Sequence, residues 1–280
     1  MKGRKNMAKK IGLVGIYFPG AYDALHENVP EGFELVDALS PETYGNLADC
    51  EYLISRLDID PDIINHTPNV KFWQRWGAGF DHVDLKAWGE RGIPIATCPG
   101  VNSGIVAELA IMLMLAGYRN LLQINRQLRA GHWPRTEYFG RSFMIKGKTV
   151  GVLGLGHIGK KVAALATAFG ANVIYYDIVR QTEQEEKFGY RFVDFDTLLR
   201  ESDIYTIHCP LNEETRGMIG AEQFAKMKPT AMLINTARGP IVDEAALIDA
   251  LTTGRIATAG LDTYEREPLP KDHPLLTLDN

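Results

Sequence analysis

The chain has 280 residues, 45% of them hydrophobic and 23% charged, enough to bury a sizeable core and to divide into two domains. A formal net charge of -5 supplies no global basic field of the kind that attracts nucleic acid or an anionic bilayer, so neither is expected as a partner. Three scattered cysteines, Cys50, Cys98 and Cys209, exclude a disulfide framework and lack metal-ligand spacing, which suits reduced thiols in a cytoplasmic enzyme.

Residues 1–10 are basic, but the apolar run over 11–18 is stopped by Pro19-Gly20, too soon for a secretory signal, and no uncharged stretch reaches membrane-spanning length. Short apolar segments at 11–16, 33–36, 51–55, 70–76 and 93–96 read as strands, with helices between them at 41–48, 61–66 and 85–91. This alternation predicts a parallel sheet flanked by helices, a first α/β domain over 8–101. A long helical pattern follows over 102–129, closed by Gly131-His132-Trp133-Pro134 and an irregular stretch to 147. It is either a core helix or a face for a second subunit, and a homodimer through 102–145 is the expected assembly. The βα rhythm then resumes with strands at 149–153, 171–177, 204–208, 231–235 and 258–261, a second doubly wound domain over 102–280.

The most informative motif opens that second domain. Gly154-Leu155-Gly156-His157-Ile158-Gly159 joins the strand at 149–153 to helix-forming residues from Lys160 onward. The first glycine permits the turn, the second lets backbone approach a pyrophosphate, and the third lets helix pack on strand. Asp177 closes the next strand, where an acidic side chain receives the ribose hydroxyls of NAD and repels the 2'-phosphate of NADP. NAD is therefore the expected cofactor, by roughly 1–3 kcal/mol, with nearby Arg180 softening the repulsion.

Two later strand ends carry candidate chemistry. Arg238 follows the apolar strand at 231–235 in Thr236-Ala237-Arg238-Gly239-Pro240, where its planar fork suits the carboxylate and carbonyl of a 2-oxo acid. A structural ion pair is the plainer alternative for an arginine taken alone. Asp262 ends the strand at 258–261, and Glu265 and Glu267 follow; a carboxylate there could orient a catalytic imidazole and favour its protonated form.

Taken together, several motifs resemble the D-isomer-specific 2-hydroxyacid dehydrogenases along nearly the whole chain. They are Gly77-Ala78-Gly79-Phe80-Asp81-His82-Val83-Asp84, Cys98-Pro99-Gly100-Val101-Asn102 leading to Val106-Ala107-Glu108, and the glycine motif. His208-Cys209-Pro210-Leu211, Asn235-Thr236-Ala237-Arg238-Gly239 with Val242-Asp243-Glu244, and Gly260-Leu261-Asp262 through Glu267-Pro268 complete the set. The resemblance implies a flavodoxin-like substrate domain and a Rossmann NAD-binding domain separated by a cleft, acting on a small 2-hydroxy or 2-oxo acid. It implies Arg238 as the substrate-binding catalytic arginine and Glu267 as partner of the catalytic histidine. Backbone amides near Ala78 and Gly79 would hold the substrate carboxylate, and Arg75 stands where the phosphoglycerate branch meets a substrate phosphate. By the same likeness Gly154, Gly156, His157, Ile158, Gly159 and Asp177 bind the cofactor, together with Val106, Cys209, Pro210, Thr236, Ala237, Arg238 and Asp262.

One departure stands out. The family's general acid is a histidine in a Pro-His pair, and none of His26, His66, His82, His132, His157, His208 and His273 has that context. The expectation is a chain truncated before that histidine and before the helix that completes the first domain, able to bind dinucleotide with little or no turnover. Other expectations within the fold are a phosphite-type dehydrogenase and an NAD(H)-sensing corepressor-like scaffold; Glu267 argues against the formate branch, which has glutamine there.

Overall fold

A computed structural model describes residues 8–57 and 59–280. The chain divides into two compact units, Met1–Asn102 and Ser103–Asn280.

The first unit runs β1 (Lys9–Gly15), α1 (Pro19–Glu27), β2 (Phe33–Ala38), β3 (Tyr52–Arg56), β4 (Phe72–Arg75), α2 (Leu85–Glu90) and β5 (Ile95–Ala96). Its strands are all parallel in the order β2-β1-β3-β4-β5, the flavodoxin-like winding. Buried Leu13 and Val14 of β1, Leu53 of β3 and Trp73 of β4 supply the sheet's core; Trp73 packs 4.8 Å from Trp88 and donates its indole N–H to Ser55 Oγ at 2.7 Å. Two expectations need correction. Pro19 starts α1 instead of merely ending β1, because a proline at the first helical position gives up an N–H that needs no partner there. The segments Pro41–Asp49 and Pro61–His66 are 3₁₀ helices; in the second, Asp60 caps the Asp62 N–H only two residues on, which tightens so short a turn.

The second unit runs α3 (Ser103–Tyr118), α4 (Leu121–Arg129), β6 (Thr149–Leu153), α5 (His157–Ala168), β7 (Asn172–Tyr176), α6 (Thr182–Phe188) and β8 (Arg191–Phe192). It continues with α7 (Phe195–Glu201), β9 (Ile204–Ile207), α8 (Ala221–Lys226), β10 (Met232–Asn235), α9 (Glu244–Thr252) and β11 (Thr258–Leu261). The parallel order is β11-β10-β9-β6-β7-β8, so the winding reverses between β6 and β9, the switch point of a Rossmann sheet. The central strands β9 and β10 are buried at every residue, which is why they read as continuous apolar runs.

The single helix expected over 102–129 is broken. Asn120 adopts a left-handed φ of 50° and donates its side-chain amide to Arg141 O and Ser142 Oγ, and α3 and α4 meet at 59°. One face of α3 is core: Ala107, Ala110 and Met114 are fully buried, and a Cβ on Gly117 would come within 2.6 Å of Met232 Cε. Its other face leaves Ile105 and Met112 exposed. Among the described residues no single helix is long and apolar enough to cross a membrane, and no cluster of histidine, cysteine and carboxylate groups could hold a metal.

Candidate active site

The glycine turn sits at the switch point and each glycine answers a different contact. Gly154 has φ +89°, and a Cβ there would lie 2.8 Å from Cys209 N and 2.9 Å from His208 C, so only glycine lets β6 exit this close to the end of β9. A Cβ on Gly159 would lie 2.1 Å from Gly154 O, against the turn itself. Gly156 meets nothing within 4 Å, and no side chain caps α5, which begins at His157. Three features therefore coincide: free space beside backbone, unsatisfied N–H groups at a helix start, and the positive end of the helix dipole. They fit a pyrophosphate. His157 is exposed and Ile158 half-buried in that first turn.

Asp177 directly follows β7. Its Oδ2 accepts the Leu155 N–H at 2.7 Å and its Oδ1 the Val179 N–H at 3.0 Å, so the carboxylate is fixed beside the turn with lone pairs left for hydroxyl donors. This fits a dinucleotide ribose. Arg180, expected to offset the Asp177 charge, instead makes a bidentate pair with Glu185.

At the end of β9, His208 pairs through Nε2 with the Thr206 hydroxyl at 2.8 Å, while its Nδ1 is buried without a hydrogen-bond partner among the described residues. Burial pushes this imidazole down to about 3, so it is neutral. Cys209 is pushed up to about 11 by burial, with the Asp177 charge adding, and remains a thiol beside exposed Pro210. Thr236, just past β10, is buried with its Oγ1 unpartnered among the described residues, as is Thr263 Oγ1 two residues past β11. Buried polar atoms are ordinarily satisfied, so orphaned groups beyond β9, β10 and β11 mark a surface that fits a polar ligand. The sequence placed His208 after a strand, where the family resemblance puts it on the cofactor side, and gave no signal for Thr263.

Arg238 is set by a braced turn. Asn235 accepts the Ala237 N–H at 3.1 Å through Oδ1 and donates through Nδ2 to Arg238 O at 2.9 Å. The half-buried guanidinium donates to Ala237 O at 2.7 Å. Gly239 then allows the loop after β11 to press on this turn, since a Cβ would lie 1.9 Å from Tyr264 C and O. That loop carries Asp262, whose N–H donates to Asn235 O at 3.0 Å, and Glu267, whose Oε1 accepts the Tyr264 N–H at 3.0 Å. Burial and then the Glu267 charge raise the Asp262 carboxyl above the ordinary aspartate range. Glu265 is exposed, and its N–H donates to Glu244 Oε2. His273 is spoken for: Nε2 meets Glu244 Oε1 at 2.9 Å and Nδ1 accepts the Leu275 N–H.

Val106 stands half-buried in the first turns of α3, two residues after Gly104, whose Cβ position lies 3.7 Å from Lys161 Nζ of α5. The remaining candidates belong to the first unit. Arg75 ends β4 almost fully buried, and its guanidinium donates to Gly79 O and to Leu57 O. It thus braces the glycine-containing loop from inside. The N–H groups of Ala78 and Gly79 have no hydrogen-bond acceptor among the described residues, which leaves them open to an anion.

A family profile described as "D-isomer specific 2-hydroxyacid dehydrogenase, NAD binding domain" matches residues 111–280. The chain is 45% identical over 226 residues to D-3-phosphoglycerate dehydrogenase of Archaeoglobus fulgidus, covering 81% of this chain and 42% of that one. It is 43% identical over 244 residues to glyoxylate reductase of Thermofilum pendens, covering 85% of this chain and 72% of that one. The crystal structure of the holo form of Rhodotorula graminis D-mandelate dehydrogenase superposes with a TM-score of 0.87 at 31% identity, over 98% of this chain and 86% of that one. The chain therefore spans less than half the length of the Archaeoglobus relative and most of the other two. It belongs to the D-isomer-specific 2-hydroxyacid dehydrogenases, with residues 111–280 as that family's NAD-binding domain.

Proposed function

We propose that the protein is an NAD-dependent oxidoreductase interconverting a small D-2-hydroxy acid and its 2-oxo acid, with the second unit binding the cofactor and the first the substrate. The observation that carries this reading is the space beside Gly156 at the uncapped start of α5, with the Asp177 carboxylate fixed next to it. The relatives' names support the reaction class, since two are called glyoxylate reductase and D-mandelate dehydrogenase.

When bound, the dinucleotide supplies or accepts the hydride exchanged with the substrate's C2. The chain's own residues bind and polarise. Arg238, on its Asn235-braced turn, pairs with the 2-oxo acid's oxygens and stabilises charge gathering on the carbonyl oxygen. In the first unit, the open N–H groups of Ala78 and Gly79 take a carboxylate, with Arg75 holding their loop in shape. Glu267, oriented by the Tyr264 N–H, favours the protonated state of an imidazole placed beside it. The exposed apolar side chains Ile105, Met112, Leu122, Trp133, Phe139 and Met144 support a homodimer through this region.

The test is NADH oxidation by the full-length protein with a panel of 2-oxo acids, in the parent and in Arg238→Lys. The expected result is turnover with at least one acid, lowered about 10²–10³-fold in the variant while NADH affinity stays within about threefold. NADH binding with no turnover of any 2-oxo acid would replace this reading with that of a dinucleotide-sensing scaffold.

A further inference from the structure

Arg180 lies three residues past Asp177, on the edge where the hydroxyls of an adenosine ribose would meet that carboxylate. A guanidinium in this place is chemically suited to a 2'-phosphate. It is committed elsewhere. Its Nε donates to Glu185 Oε1 at 2.8 Å and its Nη2 to Oε2 at 2.7 Å, and its guanidinium carbon stands 5.5 Å from the Phe192 ring centroid. Glu185, one helical turn into α6, is anchored in its own right: the fully buried Tyr175 donates its hydroxyl to Oε1 at 2.7 Å and accepts the Gln181 N–H at 2.8 Å.

We propose that Glu185 is a specificity-determining residue, a latch that holds Arg180 on α6 and so leaves Asp177 alone to face the ribose, excluding NADP. This rests on the dinucleotide reading above. An ordinary exposed ion pair would be too weak for the task, and Arg180 is itself 59% exposed. Three features strengthen this one: the fork is bidentate, the acceptor is only 17% exposed, and the tyrosine that orients it is part of the core. Hydrogen bonds from Arg180 and then Tyr175 hold the Glu185 carboxyl down at about 2, so the latch keeps its charge throughout the physiological pH range.

Fluorescence titration of NADH and NADPH against the protein tests the latch. Glu185→Gln keeps an oxygen for the Tyr175 hydroxyl but removes the charge and one acceptor from Arg180. It should bind NADPH about tenfold more tightly than the parent with NADH changed by less than about threefold. Adding Arg180→Ala to that variant should cancel the gain. Arg180→Ala alone should leave NADPH affinity within about threefold, because a latched arginine makes no contact with the phosphate. An unchanged NADPH affinity in Glu185→Gln, a gain that survives loss of Arg180, or a tenfold loss in Arg180→Ala alone would each overturn the latch. A parent protein that binds NADPH as tightly as NADH would overturn it too. A parent that binds neither would overturn the dinucleotide reading itself, and the latch with it.

Discussion

Gly239 and Tyr264 are in direct backbone contact: a Cβ on Gly239 would stand 1.9 Å from both the carbonyl carbon and the oxygen of Tyr264, and 2.5 Å from Glu265 N. The turn that presents Arg238 and the loop that presents Glu267 are therefore held as one surface, tied again by the Asp262 N–H to Asn235 O. Gly239→Ala must push the loop away, since neither contacting segment is a side chain that can rotate aside. The expected outcome in the full-length protein is a turnover about 10²-fold lower with NADH affinity within about threefold, measured by steady-state kinetics and fluorescence titration. Unaltered turnover would separate the loop from the chemistry.

Gly156 and Gly159 are three residues apart and should fail in different ways. At Gly156 the backbone has φ -82° and ψ -151°, which alanine tolerates, and the added methyl would enter empty space where the pyrophosphate is proposed to lie. Gly156→Ala should weaken NADH binding at least about tenfold and leave thermal stability nearly unchanged. At Gly159 the methyl would collide with Gly154 O, and Gly159→Ala should destabilise the fold by about 1–3 kcal/mol. Thermal unfolding together with NADH titration distinguishes the two. A stability loss at Gly156 equal to that at Gly159 would mean the gap is structural.

His208 gives the second unit a dependence on pH with a definite sign. Burial lowers its folded pKa from 6.5 to about 3, so between these values the unfolded chain binds a proton that the folded chain does not. Stability from this group is complete above about pH 6.5 and is lost as pH falls below it, at up to about 1.4 kcal/mol per pH unit. His208→Gln cannot charge and can still meet the Thr206 hydroxyl. Denaturant unfolding at several pH values should show a shallower decline for the variant between pH ~4 and ~6.5. Parallel curves for the two proteins would contradict a buried neutral imidazole.

The sequence made most strands of the second unit accessible, because β6, β7, β9, β10 and β11 are nearly continuous apolar runs punctuated by glycine or a polar strand end. The two-residue β8 was not legible: Arg191–Phe192 has neither length nor alternation to announce it. The bend at Asn120 was hidden because helical periodicity continues on both sides of one left-handed residue. In the site, the glycine turn and Asp177 are local patterns and could be read directly. Glu185 could not, since its grip on Arg180 depends on where α6 lays its first turn beside Tyr175. Arg75 was visible at its strand end, but that its guanidinium faces inward to carbonyl oxygens of two loops is a property of tertiary packing.

The central claim is that the switch point between β6 and β9 is a dinucleotide site. Its most direct test is a calorimetric titration of NADH into the protein and into Gly156→Ala. The account predicts saturable one-to-one binding in the parent, with a dissociation constant between about 1 μM and 1 mM, and a loss of at least about tenfold in the variant. No binding in the parent, or equal binding in both, would contradict it.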